Sequence, residues 1–218
     1  MKAAIFDLDG TLLDSMWLWE KLADNYLLSI GIEAPKDLGE ALKDLTLKEA
    51  CFYMKEEFNI KSTIDEINRD IEKLLADCYA NCLQLKPYVL ETLEEFKNKN
   101  IKMAIATATD EHLVSMALNR LDIKDYFEFI QTAEHVGLNK SKPEFFEIAI
   151  DRLGLKPEGI WVFEDALHCI ISAKKAGLKV VAIKDESASL DIEKIKEVSD
   201  IYIDNFSQLE VDRLWKNY

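Results

Sequence analysis

Ala3-Ala4-Ile5-Phe6-Asp7-Leu8-Asp9-Gly10-Thr11-Leu12-Leu13-Asp14-Ser15 is an apolar run that stops at two carboxylates one residue apart and then turns through Gly-Thr. A short continuous apolar run is the pattern of a strand buried on both faces of a parallel sheet. The carboxyl end of such a strand is where open α/β sheets place their ligand crevice. Asp7 and Asp9 are thereby expected at the crevice. Two carboxylates this close repel each other unless a cation or a shared proton intervenes, so the spacing points to a hard divalent metal such as magnesium. A bare Asp-x-Asp is also a common solvated turn; the strand before it and Gly10-Thr11 after it favour the site.

With those residues the chain resembles the haloacid dehalogenase superfamily of phosphatases, whose signature is Asp-x-Asp-x-Thr after the first strand. The resemblance implies three further stations in order, and segments that match all three follow. Met103-Ala104-Ile105-Ala106 ends in Thr107-Ala108-Thr109, where the family places a hydroxyl to hold a phosphate oxygen; Thr107 is the matching residue. A helix starting near Asp110 would add its positive end. Locally, Thr107 and Thr109 also read as the start and cap of that helix. Next comes Lys142-Pro143, reached through Gly137-Leu138-Asn139-Lys140-Ser141 and followed by an amphipathic helix from about Pro143 to Leu153. The resemblance gives Lys142 the task of neutralising the nucleophile and the phosphoryl group, with Lys140 the nearby alternative that lacks the adjacent Pro. In isolation, a Lys before a helix is most often a surface residue. Finally Ile160-Trp161-Val162-Phe163-Glu164-Asp165 is a second apolar run ending in acid, before a helical segment from Ala166 to Ala176 and Gly177. Asp165 is equally well placed to cap that helix.

The mechanism implied by the resemblance assigns every station a role. Asp7 would attack phosphorus and form an aspartyl phosphate. Asp9 would protonate the leaving oxygen and then activate water. Magnesium would be held by Asp7, the backbone carbonyl of Asp9 and Asp165, with Glu164 in support. Lys142, Thr107 and the backbone N–H groups of Leu8, Asp9 and Ala108 would stabilise the equatorial phosphoryl oxygens. The second Asp distinguishes phosphoryl transfer from dehalogenation, because a halide leaving group needs no acid.

About ninety residues between the first two stations read as helices, from Met16 to about Ser29, Asp37 to Leu42, Thr46 to Phe58, and Thr63 to about Leu83. An insertion there is similar to the small helical cap of the beta-phosphoglucomutase-like branch, which would close over the site and exclude water. The expected division is residues 1–15 and 85–218 for the core and 16–84 for the cap, hinged near Leu12 to Ser15 and Gln84 to Tyr88. The cap departs from that branch. Trp19 stands where the branch has a His that aligns the acid, Asp44 where it has a Gly, and Leu47 where it has a phosphate-binding Arg; Lys43 or Lys48 could substitute. Trp17 and Trp19 are candidates to line the substrate pocket, or else to pack between cap helices.

Composition is consistent with this reading. The 218 residues can bury a core and spare a small second domain, and 49% of them are hydrophobic, which excludes a disordered chain. A formal charge of −14 argues against nucleic-acid and anionic-membrane partners. No signal peptide or membrane-spanning run is read, so the expected location is cytoplasmic, with a monomer as the default. Cys51, Cys78, Cys82 and Cys169 make no metal-ligand pattern with the three histidines.

Lys179-Val180-Val181-Ala182-Ile183 and Ile201-Tyr202-Ile203 read as further strands, and Phe206 to Trp215 as a terminal amphipathic helix. The expected architecture is α/β: a doubly wound, parallel, Rossmann-like sheet with the first strand central, plus an inserted all-helical cap domain. The expected function is magnesium-dependent hydrolysis of a small phosphomonoester, a sugar phosphate or similar metabolite. The alternatives are a beta-phosphoglucomutase-type phosphosugar mutase and a catalytically silent phospho-ligand-binding or regulatory protein.

Overall fold

The computed structural model of the chain describes residues 2–42 and 47–216. Among these described residues eight strands form: β1 (Ala3–Phe6), β2 (Leu13–Asp14), β3 (Gln84–Leu85), β4 (Lys102–Thr107), β5 (Phe129–Thr132), β6 (Ile160–Glu164), β7 (Lys179–Ile183) and β8 (Ile201–Ile203). Six of them make one parallel sheet in the order β5-β4-β1-β6-β7-β8, while β2 and β3 form a separate antiparallel ribbon.

β1 is central because Ala3, Ala4, Ile5 and Phe6 are all fully buried, so both faces can be covered. Ala3 and Ile5 join a cluster with Ala104, Ala106, Val162 and Val180. Phe6 points the other way, as alternation in a strand requires, and stacks on Phe163 at 4.5 Å, with Phe96 5.8 Å from each. The register sets Phe6 opposite Ile105 on one side and Phe163 on the other. Asp7 therefore leaves β1 level with the ends of β4 and β6, and its N–H donates to the Phe163 carbonyl at 3.0 Å.

The chain divides into two compact units, Met1–Met16 with Leu83–Tyr218, and Trp17–Cys82. The second is helical. After α1 (Met16–Glu20), it holds α2 (Leu22–Ser29), α3 (Leu38–Leu42), α4 (Leu47–Glu57) and α5 (Ile64–Asn81). The single helix expected from Met16 to Ser29 is broken at Lys21, whose ψ of 7° leaves the helical range. α5 begins with a capping box, Thr63 Oγ1 accepting from the Glu66 N–H at 3.2 Å and the Thr63 N–H donating to Glu66 Oε2 at 2.7 Å. Its Ile67, Ile71, Leu75 and Tyr79 recur every fourth residue and are buried. Lys43 and Asp44, and the side chain of Leu47, lie outside what the structure describes.

The remaining helices flank the sheet: α6 (Val89–Asn98), α7 (Glu111–Arg120), α8 (Ala133–Val136), α9 (Pro143–Leu153), α10 (Leu167–Lys175), α11 (Ile192–Val198) and α12 (Val211–Leu214). Phe145, Phe146 and Ala149 of α9 and Ile170 and Ala173 of α10 cover the Ile5 face. The terminal helix expected over Phe206 to Trp215 is instead a 3₁₀ turn at Phe206–Gln208 followed by the four residues of α12. Trp215 anchors this segment by donating from its indole N–H to the Gly159 carbonyl at 2.9 Å. Among the described residues, no helix is long and apolar enough to cross a membrane.

Candidate active site

Three buried carboxylates, Asp7, Glu164 and Asp165, bring their oxygens within 4.8 Å of one another at the ends of β1 and β6. The parallel register produces this meeting, since β1 and β6 are neighbours and both terminate in acid. Glu164 is fixed through Oε1, which accepts from the N–H groups of Asp165 at 3.2 Å and Ala166 at 3.0 Å. Asp165 is fixed by Thr11, a fully buried residue whose hydroxyl donates to Oδ1 at 2.8 Å.

Gly10 makes the arrangement possible. Its φ is +81°, and its N–H closes the turn on the Leu13 carbonyl at 3.0 Å. A Cβ at this position would collide with the Asp165 carboxylate. Only glycine offers both the left-handed backbone and the missing side chain. Gly10-Thr11 is thus a device that seats Asp165 beside Asp7, a role that turn propensity alone does not reveal.

Among the described residues, the cation inside the cluster is Lys140. It is buried, its ammonium is hydrogen-bonded to Asp7 Oδ1, and it lies 2.6 Å from Glu164 Oε2. Lys142, the residue favoured from the sequence, is exposed at the N-cap of α9, and the structure does not bring it to Asp7. The reason is local. Ser141 N–H donates to Asn139 Oδ1 and Lys142 N–H to the Asn139 carbonyl, both at 2.9 Å, and this turn sends Lys140 inward and Lys142 to the helix start. Pro143 marks the helix start and says nothing about which lysine enters the site.

Burial pushes the Asp7 carboxyl well above its ordinary range; Lys140 opposes that, and Glu164 and Asp165 add to it. Asp165 is pushed up to about 8, first by burial and then by Glu164, against the hydrogen bond from Thr11. Lys140 loses charge stability through burial, yet Asp7 and Glu164 more than compensate and hold its ammonium above the usual lysine range. Three acids face one base. The surplus negative charge, the oxygen-only donor set and the elevated acids fit a hard divalent cation, which would replace the protons that burial forces on.

At the end of β4, Thr107 is buried and its Oγ1 accepts from the Thr109 N–H at 3.1 Å. Thr109 is itself buried and donates from its hydroxyl to Asp9 Oδ2 at 2.7 Å. Neither threonine caps α7, whose N-cap is Asp110 without a side-chain bond. Asp165 likewise does not cap α10, whose N-cap is Ala166. Leu8 is fully buried, its carbonyl accepting from the Leu12 and Leu13 N–H groups, and Ala108 is exposed between the two threonines. Asp7, Lys140, Glu164 and Asp165 form one contact set, while Asp9, Thr107 and Thr109 form a second.

The candidate pocket residues belong to the helical unit. Trp17 is exposed, and Trp19 lines a cavity of about 250 Å³ with Leu22, Ala23, Leu42, Ala50, Met54 and Ile71. That apolar surround is a packing environment among the unit's own helices.

Residues 4–183 match the haloacid dehalogenase-like hydrolase family. The chain is 30% identical over 179 residues to the phosphorylated carbohydrates phosphatase of Thermotoga maritima, covering 82% of this chain and 83% of that protein. It is 26% identical over 195 residues to hexitol phosphatase B of Escherichia coli, covering 87% and 86%. A solved beta-phosphoglucomutase-like protein of Thermotoga maritima superimposes with a TM-score of 0.79 at 27% identity, over 93% of this chain and 94% of that one. A family IA hydrolase from Entamoeba histolytica shares the fold, with a TM-score of 0.81 at 21% identity over 99% and 98%. Hydrolases of this family generally use a divalent metal, and an acidic cluster is present here. The chain belongs to the haloacid dehalogenase-like hydrolase family, as an enzyme of its phosphatase branch.

Proposed function

We propose that this enzyme hydrolyses a small phosphomonoester, a sugar phosphate or similar metabolite, in a magnesium-dependent reaction through an aspartyl phosphate on Asp7. The observation that carries the reading is the buried Asp7 carboxylate, held by Lys140 between Glu164 and Asp165. The names of the two phosphatase relatives support the substrate class. The mutase reading has no observation of its own, and the silent reading sits poorly with a complete set of reactive residue types.

Asp7 would attack phosphorus while Asp9 passes a proton to the departing ester oxygen; Asp9 would then take a proton from water as it attacks the aspartyl phosphate. Lys140 opposes the protonation of Asp7 that burial favours and offers charge to the transferring phosphoryl group, the task that the resemblance gives to Lys142. Thr107 and the backbone around Leu8, Asp9 and Ala108 would hold the equatorial oxygens. Asp7, Glu164 and Asp165 would hold magnesium, which when bound supplies positive charge to the phosphoryl oxygens.

The test is phosphate release from a panel of sugar, hexitol and nucleoside phosphates plus para-nitrophenyl phosphate, with magnesium or chelator, for the wild type and Asp7→Asn. Release that requires both magnesium and Asp7 is expected. Equal release by Asp7→Asn would overturn the assignment.

A further inference from the structure

We infer that Thr109 is a positioning residue for the proton transfer by Asp9, an inference that rests on the function proposed above. Its hydroxyl donates to Asp9 Oδ2 at 2.7 Å. Asp9 sits beside the turn at Gly10 and is only partly buried. A general acid must meet the leaving oxygen within hydrogen-bond reach, so an unfixed carboxylate would spend most of its time misdirected.

Thr109 is built to fix it. The residue is 7% exposed, its β-branched side chain restricts rotation, and its N–H is tied to Thr107 Oγ1 at 3.1 Å. The sequence Thr107-Ala108-Thr109 thus links the hydroxyl proposed to hold phosphate with the carboxylate proposed to move the proton. Helix capping is not the alternative use, since the cap position belongs to Asp110. In the first step the bond from Asp7 oxygen to phosphorus forms as the ester P–O bond breaks. The Asp9 proton leaves with the alcohol. Asp9 is then a carboxylate that accepts from the Thr109 hydroxyl.

The positioning role gives a signature that a loss of packing does not. An alkyl phosphate expels a strongly basic alkoxide that needs the proton, whereas para-nitrophenyl phosphate expels a weakly basic nitrophenolate that does not. Comparing kcat/KM confines the reading to steps up to transfer onto Asp7. The variants are Thr109→Val, which keeps the shape and loses the donor, and Thr109→Ser, which keeps the donor, with Asp9→Asn as reference. The alkyl substrate is glucitol 6-phosphate or the fastest alkyl phosphate of the panel.

For Thr109→Val, kcat/KM on the alkyl phosphate is expected to fall about tenfold or more and that on para-nitrophenyl phosphate by about twofold at most, with Thr109→Ser near wild type. Asp9→Asn should show the same selectivity more strongly. An equal fall on both substrates, or none on either, overturns the positioning role while Asp9→Asn remains selective. If Asp9→Asn is itself unselective, the acid assignment fails and the inference falls with it.

Discussion

Lys140 bridges Asp7 and Glu164, its ammonium hydrogen-bonded to Asp7 Oδ1 and 2.6 Å from Glu164 Oε2, so the one buried lysine among the described residues serves two acids from different strands. Removing one partner of a buried ion pair costs about 3–5 kcal/mol, because it strands the remaining charge. Lys140→Met is expected to lower kcat by about a hundredfold or more and to melt earlier than the wild type. Lys142→Met should stay within about twofold of wild type on both measures, as surface substitutions do. Steady-state kinetics and thermal melts of the two variants decide between the lysines, and the reverse ranking would return the role to Lys142.

Asp165 and Asp7 carry raised pKa values, so each retains a proton in the folded protein at pH values where the unfolded chain has released it. Such a group favours the folded state most at low pH and loses that contribution as pH rises toward the folded value, about 8 for Asp165. In chelator, the melting temperature of the wild type relative to Asp165→Asn is therefore expected to fall between about pH 5 and about pH 8. Magnesium should restore more stability at the upper end, because it replaces protons only where they are loosely held. A pH-independent difference between the two proteins would contradict the raised Asp165.

Thr11→Val keeps the side-chain shape at a fully buried position and deletes the donor to Asp165 Oδ1. Leaving a buried polar partner unsatisfied costs about 1–3 kcal/mol, readable by urea unfolding. Gly10→Ala meets both the positive φ and the Asp165 carboxylate, so it should abolish activity at substrate levels that saturate the wild type. Unimpaired turnover by Gly10→Ala would mean that the seat of Asp165 is not needed for catalysis.

Much of the fold was legible because its strands are continuous apolar runs. β1, β6 and β7 are buried on both faces and end at recognisable punctuation, and α9 runs from Pro143 to Leu153 as its apolar spacing requires. β5 is not legible, because Phe129-Ile130-Gln131-Thr132 is short and mixed, an edge strand whose buried Gln131 donates from its amide to the Phe145 carbonyl at 2.6 Å. The acids of the site were legible as run endings.

The choice of lysine was not legible. Two candidates two residues apart differ only in which way the Asn139 turn throws them, and the residue types alone do not say which flank of such a turn faces inward. Thr11 and Thr109 gave no sign of their partners, since the hydrogen bonds to Asp165 and Asp9 span 154 and 100 residues of chain.

The most direct measurement is the mass of the peptide containing Asp7 after acid quenching of enzyme that is turning over the best substrate of the panel with magnesium. A phosphoryl adduct on that peptide in the wild type, absent from Asp7→Asn, is the predicted result. Full phosphate release with no adduct on Asp7, undiminished in Asp7→Asn, would contradict the assignment of Asp7 as nucleophile.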